Sequence, residues 1–233
     1  MTTEGRNFLV PRRKIEMVIF DLDGTLVDAY KAVAKSLNRA LKDRGYPAVP
    51  NNVIKKKVGW GEKILVRNFV DQKDIVPTLN VYHRYHQEDL KRGVKFLPGA
   101  LRLIKTLYAQ DFQLAVASNR PTFFTEIILK ILNVRSYFRF VICGDKVKHP
   151  KPAGDILRAI LKKASLKSGQ VLYVGDMSID VETGHRAGIK TVAVLTGSCT
   201  RKEIMPFRPF KMVDRISEVA TILAAINGET KIA

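Results

Sequence analysis

Ile15-Glu16-Met17-Val18-Ile19-Phe20, running straight into Asp21-Leu22-Asp23-Gly24-Thr25, is the stretch from which the architecture follows. Its first half is short, apolar and rich in β-branched residues, which predicts a strand buried on both faces of a sheet. Its second half puts two carboxylates, a glycine and a hydroxyl at that strand's carboxyl end. Further along, after Leu97-Pro98-Gly99, strands and helices alternate. Helices are expected over residues 100–110, 122–132, 154–164 and 179–187, and strands over 112–117, 140–143, 171–174 and 191–195. A last helix over 216–227 precedes a frayed tail. Alternation of this length predicts an α/β fold, a Rossmann-like three-layer core with a parallel sheet between two layers of helices. Ligands of such sheets sit at the carboxyl ends of the strands.

Residues 28–95 have a different character. Asp28 can cap a helix whose apolar face carries Val33, Leu37, Ala40 and Leu41 and which ends at Gly45. More helix is expected over 62–70 and 76–92, with no strand in this segment. The chain therefore divides into a core, residues 1–27 and 96–233, and an all-helical insert, residues 28–95.

Composition sets outer bounds. The 233 residues are 46% hydrophobic and 27% charged, ordinary for a globular chain. No apolar run approaches the roughly 20 residues that span a bilayer. After Arg6, only Phe8 to Val10 is apolar before Pro11, Arg12, Arg13 and Lys14, so no secretory signal is expected and a cytoplasmic location fits. Cys143 and Cys199 have no metal-ligand spacing around them and read as two reduced thiols. The formal charge of +18 attracts phosphorylated substrates and polyanions alike. Nucleic-acid binding wants a basic stripe or a recognisable module; a three-residue basic cluster such as Lys55-Lys56-Lys57 makes neither, and a nucleic-acid partner is not favoured. A monomer or homodimer without membrane contact is expected.

Four strand ends carry the chemistry. Asp21 can attack phosphorus as a carboxylate, and Asp23 can donate to the leaving oxygen and later take a proton from water. Gly24 permits a tight turn, and Thr25 offers a hydroxyl and an amide to an anion. A calcium loop starting at Asp21 would need a Glu at its twelfth position, which is Ala32. Ser118 and Asn119 can hold phosphate oxygens, or simply form a turn. Lys151, between Pro150 and Pro152, is either a surface lysine or a cation positioned to offset phosphate charge. Asp176 and Asp180 lie one turn apart where a helix begins; Asp176 with Asp21 suits Mg²⁺, with Asp180 as a ligand or an orienter of water, and the bland alternative is two aspartates favoured by the helix dipole. Each bland alternative stands singly; four at successive strand ends point together to phosphoryl transfer.

The motifs Asp21-Leu22-Asp23-Gly24-Thr25-Leu26-Val27-Asp28, Ser118-Asn119, Lys151-Pro152 and Gly175-Asp176-x-x-x-Asp180 resemble, in order, those of the haloacid dehalogenase superfamily. The insert looks like the cap of its phosphoglycolate-phosphatase and β-phosphoglucomutase branch. The resemblance implies Asp21 as nucleophile and Asp23 as acid/base, whose backbone carbonyl also ligates Mg²⁺. It implies that Ser118, Asn119 and Lys151 bind the phosphoryl group, that Asp176 binds the metal, and that Asp180 supports it. Dehalogenases lack the second aspartate, so Asp23 points to a phosphatase or phosphomutase. Gly59-Trp60-Gly61 resembles the substrate loop of bacterial phosphoglycolate phosphatases. Trp60 is a departure that could cover or narrow the pocket, and Lys55–Lys57 beside it could recognise a substrate carboxylate. Gly154, where relatives usually carry proline, is a second, minor departure. Segments near 27–28 and 95–98 are expected to act as hinges. The expectation is a Mg²⁺-dependent phosphatase acting on phosphoglycolate or a similar small monoester. The alternatives are a sugar phosphomutase, an inorganic pyrophosphatase, or a polyanion-binding protein without turnover.

Overall fold

β1 (Met17–Phe20) is the chain's first element, buried at every residue. The short β2 (Val27–Asp28) follows, then helices α1 (Tyr30–Asp43), α2 (Asn51–Lys55), α3 (Glu62–Arg67) and α4 (Ile75–Gly93), and the short β3 (Lys95–Phe96). From there the chain alternates: α5 (Ala100–Ala109), β4 (Gln113–Ser118), α6 (Thr122–Ile131), β5 (Phe140–Cys143), α7 (Asp155–Ala164), β6 (Val171–Gly175), α8 (Ser178–Ala187) and β7 (Lys190–Val194). It ends with α9 (Arg201–Ile204), β8 (Lys211–Val213) and α10 (Glu218–Asn227). The computed structural model describes residues 14–228; the stretch read for a secretory signal up to Arg13, and the tail beyond Gly228, lie outside them. Among the described residues, no helix is long and apolar enough to cross a membrane.

Six strands form one sheet in the order β5-β4-β1-β6-β7-β8, with every pairing parallel. Alternation along the strands supplies a core on each face. Val18 and Phe20 join Leu114, Val116, Leu172 and Val174 in the cluster reached by Leu103 and Leu107 of α5 and Leu223 of α10. Met17 and Ile19 face the other way, against Ile156, Leu157 and Ile160 of α7. Each such side chain removed from water contributes about 1.5–3 kcal/mol, so a charge at Val18 or Ile19 would unseat the central strand. β1 sits between β4 and β6, where the chain's winding reverses, and the carboxyl ends of these three strands meet in one crevice.

Residues 28–95 hold α1–α4 and an apolar cluster of their own, with Val33, Leu37 and Leu41 of α1 against Ile54, Leu65, Val66 and Tyr82. Two details differ from expectation. The ends of this segment pair as a two-residue antiparallel clip, Val27 with Phe96 and Asp28 with Lys95, where no strand was expected. The N-cap of α1 is Ala29, and the Asp28 carboxylate instead accepts from the Tyr30 N–H at 3.2 Å, because Asp28 itself is held in the clip. Smaller differences are boundary shifts, an early end to α3 at Arg67, and the short β8 and α9, which lack a periodic signal.

Candidate active site

Asp21 leaves β1 where the sheet is deepest, and Asp21 Oδ1 accepts from Lys151 Nζ at 2.6 Å. Lys151 also donates to Asp180 Oδ1 at 2.7 Å and to the Tyr173 hydroxyl at 3.1 Å, so all three of its N–H groups are used. Its side chain is 2% exposed. Burial alone would strip its charge, but Asp180 and Asp21 outweigh that and raise its pKa well above the ordinary value. Asp180 is itself engaged: Oδ1 also accepts from the Tyr173 hydroxyl at 2.7 Å, and Oδ2 from the Met177 N–H at 3.0 Å. That leaves Asp180 holding Lys151 in place.

Asn119 fixes the same lysine from its backbone. Asn119 Oδ1 accepts the Lys151 N–H at 2.9 Å, while Nδ2 donates to the Lys151 carbonyl and to the Gly59 carbonyl, both at 3.1 Å. Its side-chain amide is therefore spent on the loop carrying Lys151 and on the insert. Ser118 lies beside Asp21 on the cavity wall and its Oγ accepts the Arg120 N–H at 3.2 Å.

Asp176 extends from β6 into a cradle of small residues. Thr25 donates to Oδ1 at 3.0 Å and the Ser198 N–H to Oδ2 at 3.3 Å. A methyl group on Gly24 or Gly197 would overlap Asp176 Oδ2. Gly24 also has φ +86°, a left-handed conformation that a side chain would strain. Thr25, read from the sequence as an anion ligand, is fully buried with its hydroxyl directed to Asp176. Among the described residues, Asp21, Asp176 and Asp180 bring carboxylate oxygens within 4.8 Å of one another. Burial pushes the Asp21 carboxyl up to about 7, with Lys151 opposing and Asp180 reinforcing the shift. Asp176 is raised well above its ordinary value by burial and then by repulsion from Asp21 and Asp180. Three buried acids share one ammonium, so ionising all three calls for a further cation, in a cradle with no room for a side chain at Gly24 or Gly197. This donor set of hard oxygens fits Mg²⁺.

Asp23 turns away from this cluster. Its two oxygens accept from Arg120 Nε and Nη2, each at 2.8 Å. Asp21, Asp23 and Arg120 share a cavity of about 40 Å³, which by that measure admits about three waters. The insert forms the opposite wall through Gly59, Gly61, Glu62, Leu65 and Tyr82. Gly59 and Gly61, at φ +105° and +93°, let this loop approach the core. Trp60 between them is 37% exposed and does not line the cavity; Leu65 and Tyr82 narrow it instead. Lys55 lies over the Tyr30 ring and, with its neighbours Lys56 and Lys57, is absent from the cavity wall.

Several site residues carried no signal in the sequence reading. Arg120 and Tyr173 are two. Another is the loop after β7, where Thr196 donates to the Gly24 carbonyl at 2.6 Å and Ser198 binds Asp176. Thr196-Gly197-Ser198 following a strand was a readable cue, a fifth strand end with a glycine and two hydroxyls.

Residues 18–194 match the family model described as haloacid dehalogenase-like hydrolase. A phosphoglycolate phosphatase of Aquifex aeolicus is 31% identical over 183 residues, covering 78% of this chain and 86% of the relative. One of Pseudomonas fluorescens is 30% identical over 209 residues, covering 86% and 76%. The crystal structure of a predicted phosphoglycolate phosphatase from Haemophilus somnus superposes with a TM-score of 0.85 at 25% identity, covering 90% of this chain and 98% of that one. With the four motifs gathered at the ends of parallel strands, this chain belongs to the haloacid dehalogenase-like hydrolase family.

Proposed function

We propose that this chain is a Mg²⁺-dependent phosphatase that hydrolyses a short anionic phosphate monoester, phosphoglycolate or a close analogue, through an aspartyl-phosphate on Asp21. The observation that carries the reading is the buried Asp21–Lys151–Asp180 constellation at the end of the central strand, opening on a small cavity. The names of the relatives above support the substrate class.

In this reading the Asp21 carboxylate attacks phosphorus, the ester P–O bond breaks, and the leaving oxygen takes a proton from Asp23. Asp23 then takes a proton from a water that attacks the same phosphorus; the bond to Asp21 breaks and inorganic phosphate leaves. Lys151 holds Asp21 in line and offsets phosphoryl charge, with Ser118 and the backbone after it beside the equatorial oxygens. Mg²⁺ would be held by Asp21, Asp176 and the Asp23 carbonyl, and supplies charge neutralisation for the transferring group. Residues 28–95 act as a cap: the Gly59–Gly61 loop and Tyr82 exclude water, and the segments at 27–28 and 95–98 are its hinges.

One observation favours a second reading, a phosphatase or phosphomutase of hydroxylated sugar phosphates. Glu62 on the cavity wall pairs with His83 through Oε1 at 2.7 Å, while Oε2 is buried without a partner and would accept a hydroxyl. The test is phosphate release with Mg²⁺ from phosphoglycolate, sugar phosphates, nucleotides and pyrophosphate, in the wild type and in Asp21→Asn. Release that favours phosphoglycolate and is lost in the variant is expected; release that survives the variant refutes Asp21 as nucleophile.

A further inference from the structure

The reaction described above leaves one buried cation without a task. Arg120 follows Asn119 at the end of β4, and its side chain is 7% exposed. It meets Asp23 through two parallel bonds of 2.8 Å, the fork geometry with which a guanidinium binds a carboxylate. Burial disfavours its charge, but Asp23 more than restores it and its pKa is raised.

The remaining end of the guanidinium is anchored separately. Nη1 donates to His86 Nε2 at 2.5 Å. Arginine only donates, so this nitrogen accepts and the imidazole proton is assigned to Nδ1, which faces Ser36 Oγ at 3.1 Å. Burial, then the neighbouring Arg120 and His83, push His86 down to about 2, so it is a neutral acceptor. Ser36 Oγ donates onward to the Ala32 carbonyl at 2.7 Å or to Asp89 at 3.1 Å, and Asp89 pairs with Lys35 and Arg39. This chain through α1 and α4 holds Arg120 from behind, and the fork on Asp23 is the part left to change partner.

Two features identify that partner. Among the described residues lining the cavity, Arg120 is the only cation. Lys151, with three bonds already made, is engaged at Asp21, so a second anion on a substrate whose phosphate sits against Asp21 meets only Arg120. Both Asp23 oxygens are committed to the fork, and delivery of a proton from Asp23 requires at least one of those bonds to open. A buried guanidinium that loses its acceptor needs another. Arg120 and Asp21 line the same cavity, so the new acceptor lies close to the phosphate.

We propose that Arg120 takes the carboxylate of a short phosphorylated carboxylic acid, exchanging Asp23 for the substrate, and so selects such substrates over monoesters of equal size whose only anion is the phosphate. This rests on the phosphatase reading and names the residue that sets its substrate class. The test compares kcat/KM with Mg²⁺ for phosphoglycolate and for its carboxamide, which matches it in length and leaving oxygen. The wild type is expected to favour the carboxylate by roughly 10- to 150-fold, the range of a hydrogen-bonded charged pair. Arg120→Met removes that preference; Arg120→Lys, which keeps the charge and loses the fork, lowers it at least about threefold. Should Arg120→Met fail to melt as a folded protein, the lysine variant decides. An equal rate on both esters in the wild type, or an unchanged preference in a folded variant, overturns the proposal. Failure of the phosphatase reading has a different signature, no Mg²⁺-dependent phosphate release from any ester or release that persists in Asp21→Asn.

Discussion

Replacing Asp21 by asparagine should abolish turnover and, in the absence of metal, make the protein more stable. The Asp21 carboxyl is raised from 3.8 to about 7, chiefly by burial, with Asp180 and Asp23 adding to the shift and Lys151 opposing it. Below about pH 4, folded and unfolded chains both hold the proton, and the group costs nothing. Between about 4 and 7 the unfolded chain ionises and the folded one does not, so stability is lost as pH rises; above 7 the loss is complete. A shift of about three units corresponds to about 4 kcal/mol. Asparagine avoids that penalty and still offers Lys151 an oxygen, while Asp180 keeps the ammonium paired at 2.7 Å. The shift already includes the attraction of Lys151; allowing instead for the poorer fit of an amide NH₂ beside these acids, about half the ceiling should remain, about 2 kcal/mol. For a chain of this size that is roughly 4–8 °C in Tm. The assay is urea and thermal unfolding of both proteins in EDTA at pH 4.5, 6 and 7.5, then again with Mg²⁺. The gap should open with pH, and Mg²⁺ at about a hundredfold its Kd should close it by stabilising the wild type by about 2.7 kcal/mol. A variant less stable than wild type at pH 7.5 in EDTA, or a gap that ignores pH, would refute the account of three crowded acids awaiting a cation.

Other perturbations follow from the same geometry. Lys151→Met leaves Asp21 and Asp180 facing each other without a cation; about 3 kcal/mol of stability and at least about a hundredfold in kcat should go, and urea unfolding near wild-type midpoint would contradict it. Gly197→Ala places a methyl against Asp176 Oδ2, so the Mg²⁺ concentration for half-maximal activity should rise about tenfold or more; a metal titration that superimposes on wild type rejects the cradle. Trp60→Ala should change KM for the preferred ester by less than about twofold, since the ring lies outside the cavity wall and exposed substitutions away from such features are nearly neutral; a larger shift would mean that the indole reaches substrate.

The core sheet was legible because its signals are local. A buried parallel strand is a short apolar run, and whatever follows it must emerge at the sheet's carboxyl edge. Asp21, Ser118 and Asp176 could thus be assigned to one crevice before any pairing was known, and the parallel order β4-β1-β6 puts them there. What each side chain does once there is a different matter. Thr25 and Asn119 stand where expected, yet their polar groups go to Asp176 and to the Lys151 backbone. Local sequence specifies the turn but not which of several acceptors within reach is taken.

Arg120 was beyond such reading for a stronger reason. In a chain with 40 Lys and Arg, one more arginine beside a turn carries no information by itself. Its meaning comes from partners far off in sequence, Asp23 from the β1 turn and His86 from the middle of α4. The edge contact of His86 on Phe124 shows why this pairing cannot be inferred helix by helix: α4 must lie against α6 before the imidazole reaches the guanidinium. The two-residue clip of β2 and β3 is illegible for the same reason, being too short for any periodicity and defined only by its pairing. Which residues stand at strand ends can therefore be read along the chain, whereas the partners they take there cannot. The contacts of Arg120 lie across the junction between insert and core, where only the packed molecule brings Asp23 and His86 to one guanidinium.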